Sequence, residues 1–392
     1  MKLKLFPLIL GGLGIGTTEF VMMGLLPDIA KEFHLTIPQA GHIISAYAVG
    51  VVLGAPLLVM ATRSMSPKKI LFGLMAMFTI FNTLSAFAPN EIVLFFARLC
   101  SGLPHGAFYG IGSVVASRMA PKGKQAQAIA LTFVGITVAN LVTVPLGTYI
   151  GHHYSWRYTF CGVGFIGLCT MASIYFILPS VPVARTENIK AEFKILSRPE
   201  PWLVCLITAI GTGGLFCWLS YIAPLMTEVS HFTGTQVAYV LIVAGFGMVA
   251  GNIAGGKLAD KLEPLKCCIV LLLGMALTLL LIYMLSWNPI ASLILTFIAG
   301  SFSMAIASPI QLLMIESSKG AEMLGASLTQ AAFNIGNALG AFLGGLPIAA
   351  GFGYTSPELV GIAMSLGGVG FAWIMIKRQS GSETTALEIQ NL

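Results

Sequence analysis

Charge is what this chain has least of. Its 392 residues include 21 Lys and Arg and 15 Asp and Glu, so 9% are charged, where a soluble globular domain carries about 25%. Hydrophobic residues make up 56%, and mean hydropathy is +0.88. A water-soluble fold of this length could not coat its surface with so few charges. The shortage excludes a cytosolic enzyme, a nucleic-acid binder and a disordered protein. Cysteine offers no chemistry either. Cys100, Cys161, Cys169, Cys205, Cys217, Cys267 and Cys268 form no C-x-x-C pair and read as small apolar residues. No spacing of His, Cys, Asp and Glu suggests a metal site or a hydrolase triad. The run Gly245–Ala250 fits G-x-G-x-x-A, but it sits inside an apolar stretch and is no dinucleotide site.

Long apolar runs are abundant instead. A helix needs about 20 mainly apolar residues to cross a hydrocarbon core of about 30 Å. Twelve such segments are present, roughly 5–26, 39–61, 70–88, 92–116, 126–150, 158–178, 202–226, 236–256, 267–286, 290–314, 323–349 and 358–376. They are too long and too uniformly apolar for barrel strands. The expected class is therefore an all-α polytopic membrane protein. Lys2 and Lys4 precede the first segment and no small-residue cleavage site follows it, so it reads as a retained anchor.

The basic residues orient the spans. With the N-terminus inside, 18 of the 21 Lys and Arg fall on the inner side. Lys31 and Arg157 fall outside, and Arg98 lies within a span. This bias predicts that both termini are cytoplasmic. The longest loop, 179–201, is polar and follows span six, so it reads as a linker. The expected organisation is an N-terminal six-helix bundle (1–178), the linker (179–201), a C-terminal six-helix bundle (202–378) and a polar, disordered cytoplasmic tail (379–392). A shift of 197 residues places Gly54 on Gly251, Lys69 on Lys266, Asn140 on Asn337 and Gly147 on Gly344. Two such repeats around a central site are a common transporter plan.

Short motifs stand in order along these spans. The loop after span eight reads Gly256-Lys257-Leu258-Ala259-Asp260-Lys261, then Leu265-Lys266. It resembles the major facilitator superfamily signature G-x-L-a-D-[RK]-x-G-[RK]-[RK]. The first-half counterpart is degraded to Arg63-Ser64-Met65-Ser66-Pro67-Lys68-Lys69, without an acid. Arg98-Leu99-Cys100-Ser101-Gly102 is similar to the superfamily's R-x-x-x-G. The following His105-Gly106-Ala107-Phe108 and the run Thr17-Thr18-Glu19-Phe20 resemble the arabinose-efflux-permease-like branch of the drug–proton antiporters. Val144-Pro145-Leu146-Gly147-Thr148 is similar to the antiporter motif G-P-x-x-G, with Val144 where Gly is usual. Trp156-Arg157-Tyr158-Thr159-Phe160 resembles the W-R-x-x-F that opens span six. The resemblance implies a major facilitator fold with two pseudo-symmetric bundles around a central cavity, a monomer, and placement in a bacterial inner membrane. It also implies gating loops at Arg63, Lys69, Asp260, Lys261 and Lys266, where an acid at a helix end pairs with basic groups across the halves. Ordinary positive-inside charge is the alternative for each of these residues.

Glu19 and Arg98 interrupt the apolar cores. Burying each costs at least about 2.5–3.5 kcal/mol by insertion scales. Each lies seven residues from the outer end of its span, so both sit about 10 Å deep and could pair. His105 lies two turns inward of Arg98 on the same face. Glu19 is the expected exchangeable proton site, Arg98 the organiser of the cavity, and His105 a relay or solute ligand. The alternative is a permanent ion pair with His105 as a packed core residue. Met22 and Met23, Asn140, the stripe Gln330, Asn334 and Asn337, and the pair Trp218 and Tyr221 are further cavity candidates, or else glue between helices. Glycines four apart (Gly50 and Gly54, Gly102 and Gly106) permit close helix contact.

The functional expectation is export of a small organic solute in exchange for protons. The resemblance suggests sugars or amphiphilic drugs. The partners are that solute, protons and the lipid bilayer; no nucleic acid, metal or cofactor is expected, the proton gradient being the energy source. Proton-coupled uptake is the alternative within transport. A membrane sensor would need a signalling domain, and a membrane enzyme a catalytic constellation, neither of which the sequence contains.

Overall fold

A computed structural model of the chain describes residues 2–180 and 197–390. Among the described residues, twelve helices are long and apolar enough to cross a membrane. They are α1 (Lys2–Glu32), α2 (Ile37–Thr62), α3 (Pro67–Ala86), α4 (Glu91–Met119), α5 (Gln125–His153) and α6 (Trp156–Ile177). Then follow α7 (Pro199–Ser220), α8 (Gly234–Lys261), α9 (Pro264–Leu285), α10 (Pro289–Ser317), α11 (Glu322–Ala349) and α12 (Ser356–Gln390). The expected all-helical, twelve-span architecture is the observed one. The tail expected to be disordered instead continues α12 as helical backbone to Gln390. No proline follows Pro357, so nothing in the chain breaks the hydrogen-bond ladder there. Most of the expected linker, 181–196, lies outside the described residues.

Helix boundaries follow local chemistry. Asn90 caps α4 by accepting from the Val93 N–H at 2.9 Å. Asn288 caps α10 through the N–H groups of Ile290 and Ala291 at 3.0 and 3.2 Å. Pro67, Pro199, Pro264 and Pro289 each open a helix, where a missing N–H costs nothing. Inside α5, Pro145 cannot donate to the carbonyl four residues back. The helix answers with a wide π turn over Ala139–Thr143. A second wide turn, Ile207–Thr212, lies within α7.

Helices α1–α6 pack on one another, and so do α7–α12. The two sets meet where α2, α4 and α5 face α8, α10 and α11. Several crossings are close enough to exclude side chains, and two of them occupy matching places in the two sets. A Cβ on Gly50 or Gly54 of α2 would strike the Leu99 or Leu103 carbonyl of α4. In the other set, a Cβ on Gly247, Gly251 or Gly255 of α8 would strike the Phe297, Ser301 or Ala305 carbonyl of α10. Gly50 and Gly54 fall on Gly247 and Gly251 under the same 197-residue shift that relates the two halves. Lipid supplies no hydrophobic drive between helices, so such backbone approach is what binds them.

Replacing Gly251 by Val forces α8 away from α10. Detergent-solubilised Gly251→Val should melt several degrees below the native protein, on the scale of an overpacking cost of about 1–3 kcal/mol. Gly73→Ala on α3, where an added Cβ meets nothing within 4 Å, should leave Tm unchanged or raised.

Candidate functional site

The polar cluster at the heart of α1–α6 is built on Arg98. Its position two turns into α4 buries it completely, among the small neighbours Ala97, Ser101 and Gly102. A guanidinium in that place needs oxygen acceptors and finds them on α1. Nη1 donates to the Thr18 hydroxyl at 2.6 Å, and Nη2 to the Thr18 carbonyl at 3.0 Å. The Thr18 hydroxyl in turn donates to the Asn82 side-chain oxygen on α3 at 2.5 Å. The guanidinium carbon lies 4.4 Å from the Tyr47 ring centre and 5.4 Å from that of Phe160, within cation–π range. One side chain thus ties together α1, α2, α3, α4 and α6.

The expected contact between Glu19 and Arg98 is not formed. Among the described residues no ion pair joins them, although each lies within electrostatic reach of the other. Consecutive helical residues point about 100° apart. With Arg98 turned onto Thr18, the Glu19 carboxyl is left half-buried and outside an ion pair. His105 is buried; its Nδ1 lies 3.1 Å from the Tyr47 hydroxyl, and its ring centre 5.4 Å from that of Tyr109. Tyr109 donates to the Gly12 carbonyl at 3.2 Å, tying α4 to α1 again.

The other cavity candidates divide. Met23 is exposed, whereas Met22 is buried with Val21, Leu25, Trp156 and Phe160 and does not line a cavity. Asn140 sits half-buried in the wide turn of α5. Trp218 is not a cavity residue either: it is fully buried in the core of α7–α12 with Leu215, Ile222 and Met226. Tyr221 donates to the Ala341 carbonyl at 2.7 Å and so binds α7 to α11. Gln330 is buried where α11 meets Gly106 of α4. It donates to the Gln311 side chain of α10 at 3.0 Å, and Asn334 donates to the Gln330 carbonyl at 3.1 Å. Asn337 is half-buried one turn further. Pro145 is exposed and Gly147 buried, the Gly147 carbonyl accepting from Thr159 at 2.7 Å.

Sequence reasoning missed Asn82, Gln311, Tyr47 and Glu358. Asn82 is the lone amide of its apolar span, a signal that was available. Glu358 is a third carboxylate-bearing or basic residue within the spans, 1% exposed in the first turn of α12. It stands at the very edge of its apolar run, which hid it.

The basic ends of the two sets are joined directly. Asp260 at the end of α8 accepts from the Ala126 and Gln127 backbone N–H groups, at 2.8 and 3.0 Å. These are unpaired donors of the first turn of α5, where the helix dipole favours a negative charge. The expected pairing of this acid with basic side chains is therefore replaced by backbone donors. Lys69 and Lys261 are exposed, Arg63 caps α2, and Lys266 pairs with Glu263 on its own turn at 2.9 Å. On the other side of the seam, Arg118 of α4 reaches Glu322 of α11 at 3.3 Å. Deeper in, the Asn252 amide donates to the Ala130 carbonyl at 2.9 Å, and Gly110 lies against Ser327.

The sequence profile of the Major Facilitator Superfamily matches residues 8–341. The chain belongs to the major facilitator superfamily. It is 38% identical over 385 residues to the inner membrane transport protein YdhP of Escherichia coli, covering 98% of each. It is 29% identical over 352 residues to a chloramphenicol resistance protein of Streptomyces lividans, covering 87% of this chain and 88% of that one. Its fold is similar to that of the facilitator FucP in the outward conformation, with a TM-score of 0.77 at 16% identity, over 94% of this chain and 98% of that one. Superfamily membership makes it a multi-pass transporter of a small solute.

In this facilitator, Asp260→Asn removes the negative charge and one of the two acceptor oxygens at the α5 terminus. A loss of one or two kcal/mol is worth about 5–30-fold in a two-state equilibrium. Maleimide labelling of Ser327→Cys from the basic face, with the native cysteines replaced, should accelerate on that scale when Asp260→Asn is added.

Proposed function

We propose that this facilitator exports a small organic solute in exchange for protons, and that Glu19 is the exchangeable proton site. The observation that carries the reading is the Glu19 carboxyl, half-buried among spanning helices, within reach of Arg98 but, among the described residues, in no ion pair with it. Such a group gains or loses a proton without breaking an ion pair. In the low dielectric of a span, an ionisable side chain persists where it faces a water-filled path or a partner. Arg98 supplies the fixed positive field nearby, and His105 acts on the site through Tyr47.

The joined basic ends support alternating access. In this conformation Asp260 and the pair Arg118–Glu322 hold the two sets together at that face, so solute and protons reach Glu19 from the opposite face. Protonation and solute exchange there, followed by release of the latches, would move the opening to the basic face. Export is supported by the resemblance of Val144–Gly147 to the antiporter motif and by the similarity to a chloramphenicol resistance protein. The bias of Lys and Arg supports an inner-membrane placement with both termini cytoplasmic. Exposed Met23 and half-buried Asn140 and Asn337 offer apolar and amide contacts with little charge, which suits a neutral or weakly polar solute such as a sugar or an amphiphilic drug.

The test is reconstitution in liposomes with an imposed pH gradient and a panel of labelled sugars and drugs. The native protein should accumulate a solute against its gradient at the expense of the proton gradient. Glu19→Gln should lose that accumulation yet keep downhill solute exchange. Native-like proton coupling in Glu19→Gln would sink the assignment of Glu19, and solute movement that ignores the gradient would sink proton coupling itself.

A further inference from the structure

We infer that Asn82, acting through Thr18, is a positioning residue that keeps the Arg98 guanidinium off the Glu19 carboxylate and so leaves Glu19 free to take up a proton. The inference rests on the reading of Glu19 as the proton site and adds a part that no motif contains.

Helix α3 packs against α4 and α6, and its one amide, Asn82, is completely buried. A buried amide is costly unless both its ends are bonded, and both are. Its nitrogen donates to the Phe78 carbonyl one turn back at 2.9 Å, which fixes which way the group points. Its oxygen is thereby presented to Thr18, whose hydroxyl donates to it at 2.5 Å. With its proton committed to Asn82, the hydroxyl has only lone pairs to offer Arg98 Nη1 at 2.6 Å. The donors run in one direction, from Arg98 to Thr18 to Asn82 to the α3 backbone, so each bond polarises the next favourably. The Thr18 carbonyl holds Nη2, and the Tyr47 ring covers one face of the guanidinium.

The consequence falls on the neighbouring residue. Glu19 is adjacent to the gripped threonine, and a freed guanidinium would have its carboxylate as the nearest anion. A buried ion pair of that kind is held by strong attraction in low dielectric, and a carboxylate inside it competes poorly for a proton. The charged group that reaches Glu19 is Arg98; Tyr47 and Tyr109 stand close by as neutral phenols. His105 stands behind Tyr47. From α5 and α6, His152 and Arg157 are engaged with Asp28 and Glu32, at least about 13 Å further along α1. Helix α3 contributes no charge at this depth: its Lys68 bonds the Tyr175 carbonyl and its Lys69 is exposed, both at the basic end. His42 of α2 is exposed.

The test measures the pH dependence of gradient-driven solute exchange in liposomes for Asn82→Leu, Thr18→Val and Thr18→Ser, each checked for native melting and monodispersity. Thr18→Val removes the acceptor, and Asn82→Leu removes what orients it. Both should move the pH of half-maximal exchange toward acid, by about one unit or more for Thr18→Val, the scale of a carboxylate gaining a guanidinium neighbour. The shift should be smaller for Asn82→Leu. Thr18→Ser, which keeps the hydroxyl, should restore the native midpoint. Adding Asn82→Leu to Glu19→Gln should move nothing further. Well-folded Thr18→Val and Asn82→Leu proteins with the native midpoint would overturn the inference, as would an equal loss of rate at every pH in all three. Those results differ from failure of the underlying reading, which shows as native coupling in Glu19→Gln alone.

Discussion

A guanidinium buried among helices in a bilayer has to be given oxygen, and the placing of those oxygens organises half of this molecule. Arg98 cannot snorkel to water from two turns inside α4. It is held by the hydroxyl and carbonyl of Thr18 and flanked by the faces of Tyr47 and Phe160. These partners come from different helices, so satisfying one side chain fixes the relative rotation of α1, α2, α4 and α6, and through Asn82 also of α3. The glycine seam between α2 and α4 completes the constraint by setting their separation. The second half of the chain repeats the seam in α8 and α10 but carries no corresponding guanidinium. Its polar interior is made of amides instead, with Gln311 and Gln330 bonded to each other and Gln311 to the Ala326 carbonyl. The two halves share a scaffold and differ in chemistry, a guanidinium in one and amides together with the buried Glu358 carboxyl of α12 in the other.

The spans were readable in the sequence because crossing a bilayer imposes a length and an apolarity that few other structures need. Glu19 and Arg98 were readable for the converse reason, since an ionisable residue in such a run carries a large penalty. Their geometry was not readable. Depth along a helix places two residues at one level, but which oxygens a guanidinium meets depends on helix rotation, and one position on α1 separates a carboxylate from the threonine that was actually taken. Met22 and Trp218 were misplaced for a related reason. In a membrane the lipid-facing, core-facing and cavity-facing sides of a helix can all be apolar, so residue type does not reveal the side. The sequence points to Asp260 but not to its partners, because backbone N–H groups at a helix terminus leave no mark in composition.

The seam between the two halves is graded from one end to the other. At the basic face it is made of charge: Asp260 on the α5 terminus and Arg118 with Glu322. One layer in, it is a single neutral bond from Asn252 to Ala130. Beside it, at about the same depth, Gly110 lies on Ser327, and about one turn further in Gly106 lies on Gln330. Strong, directional bonds thus stand where water can replace them when they break, and the deeper layers hold only what can part without leaving an ion exposed in the bilayer.

That grading has a consequence for what the surroundings can control. The Arg118 side chain is 35% accessible, and exposed ion pairs are weakened by dissolved salt. The small, uncharged contacts at mid-depth feel neither salt nor the membrane voltage. Ionic strength on one side of the membrane therefore acts on a single end of the seam, and the strength of that end becomes a property of the compartment that the basic face touches.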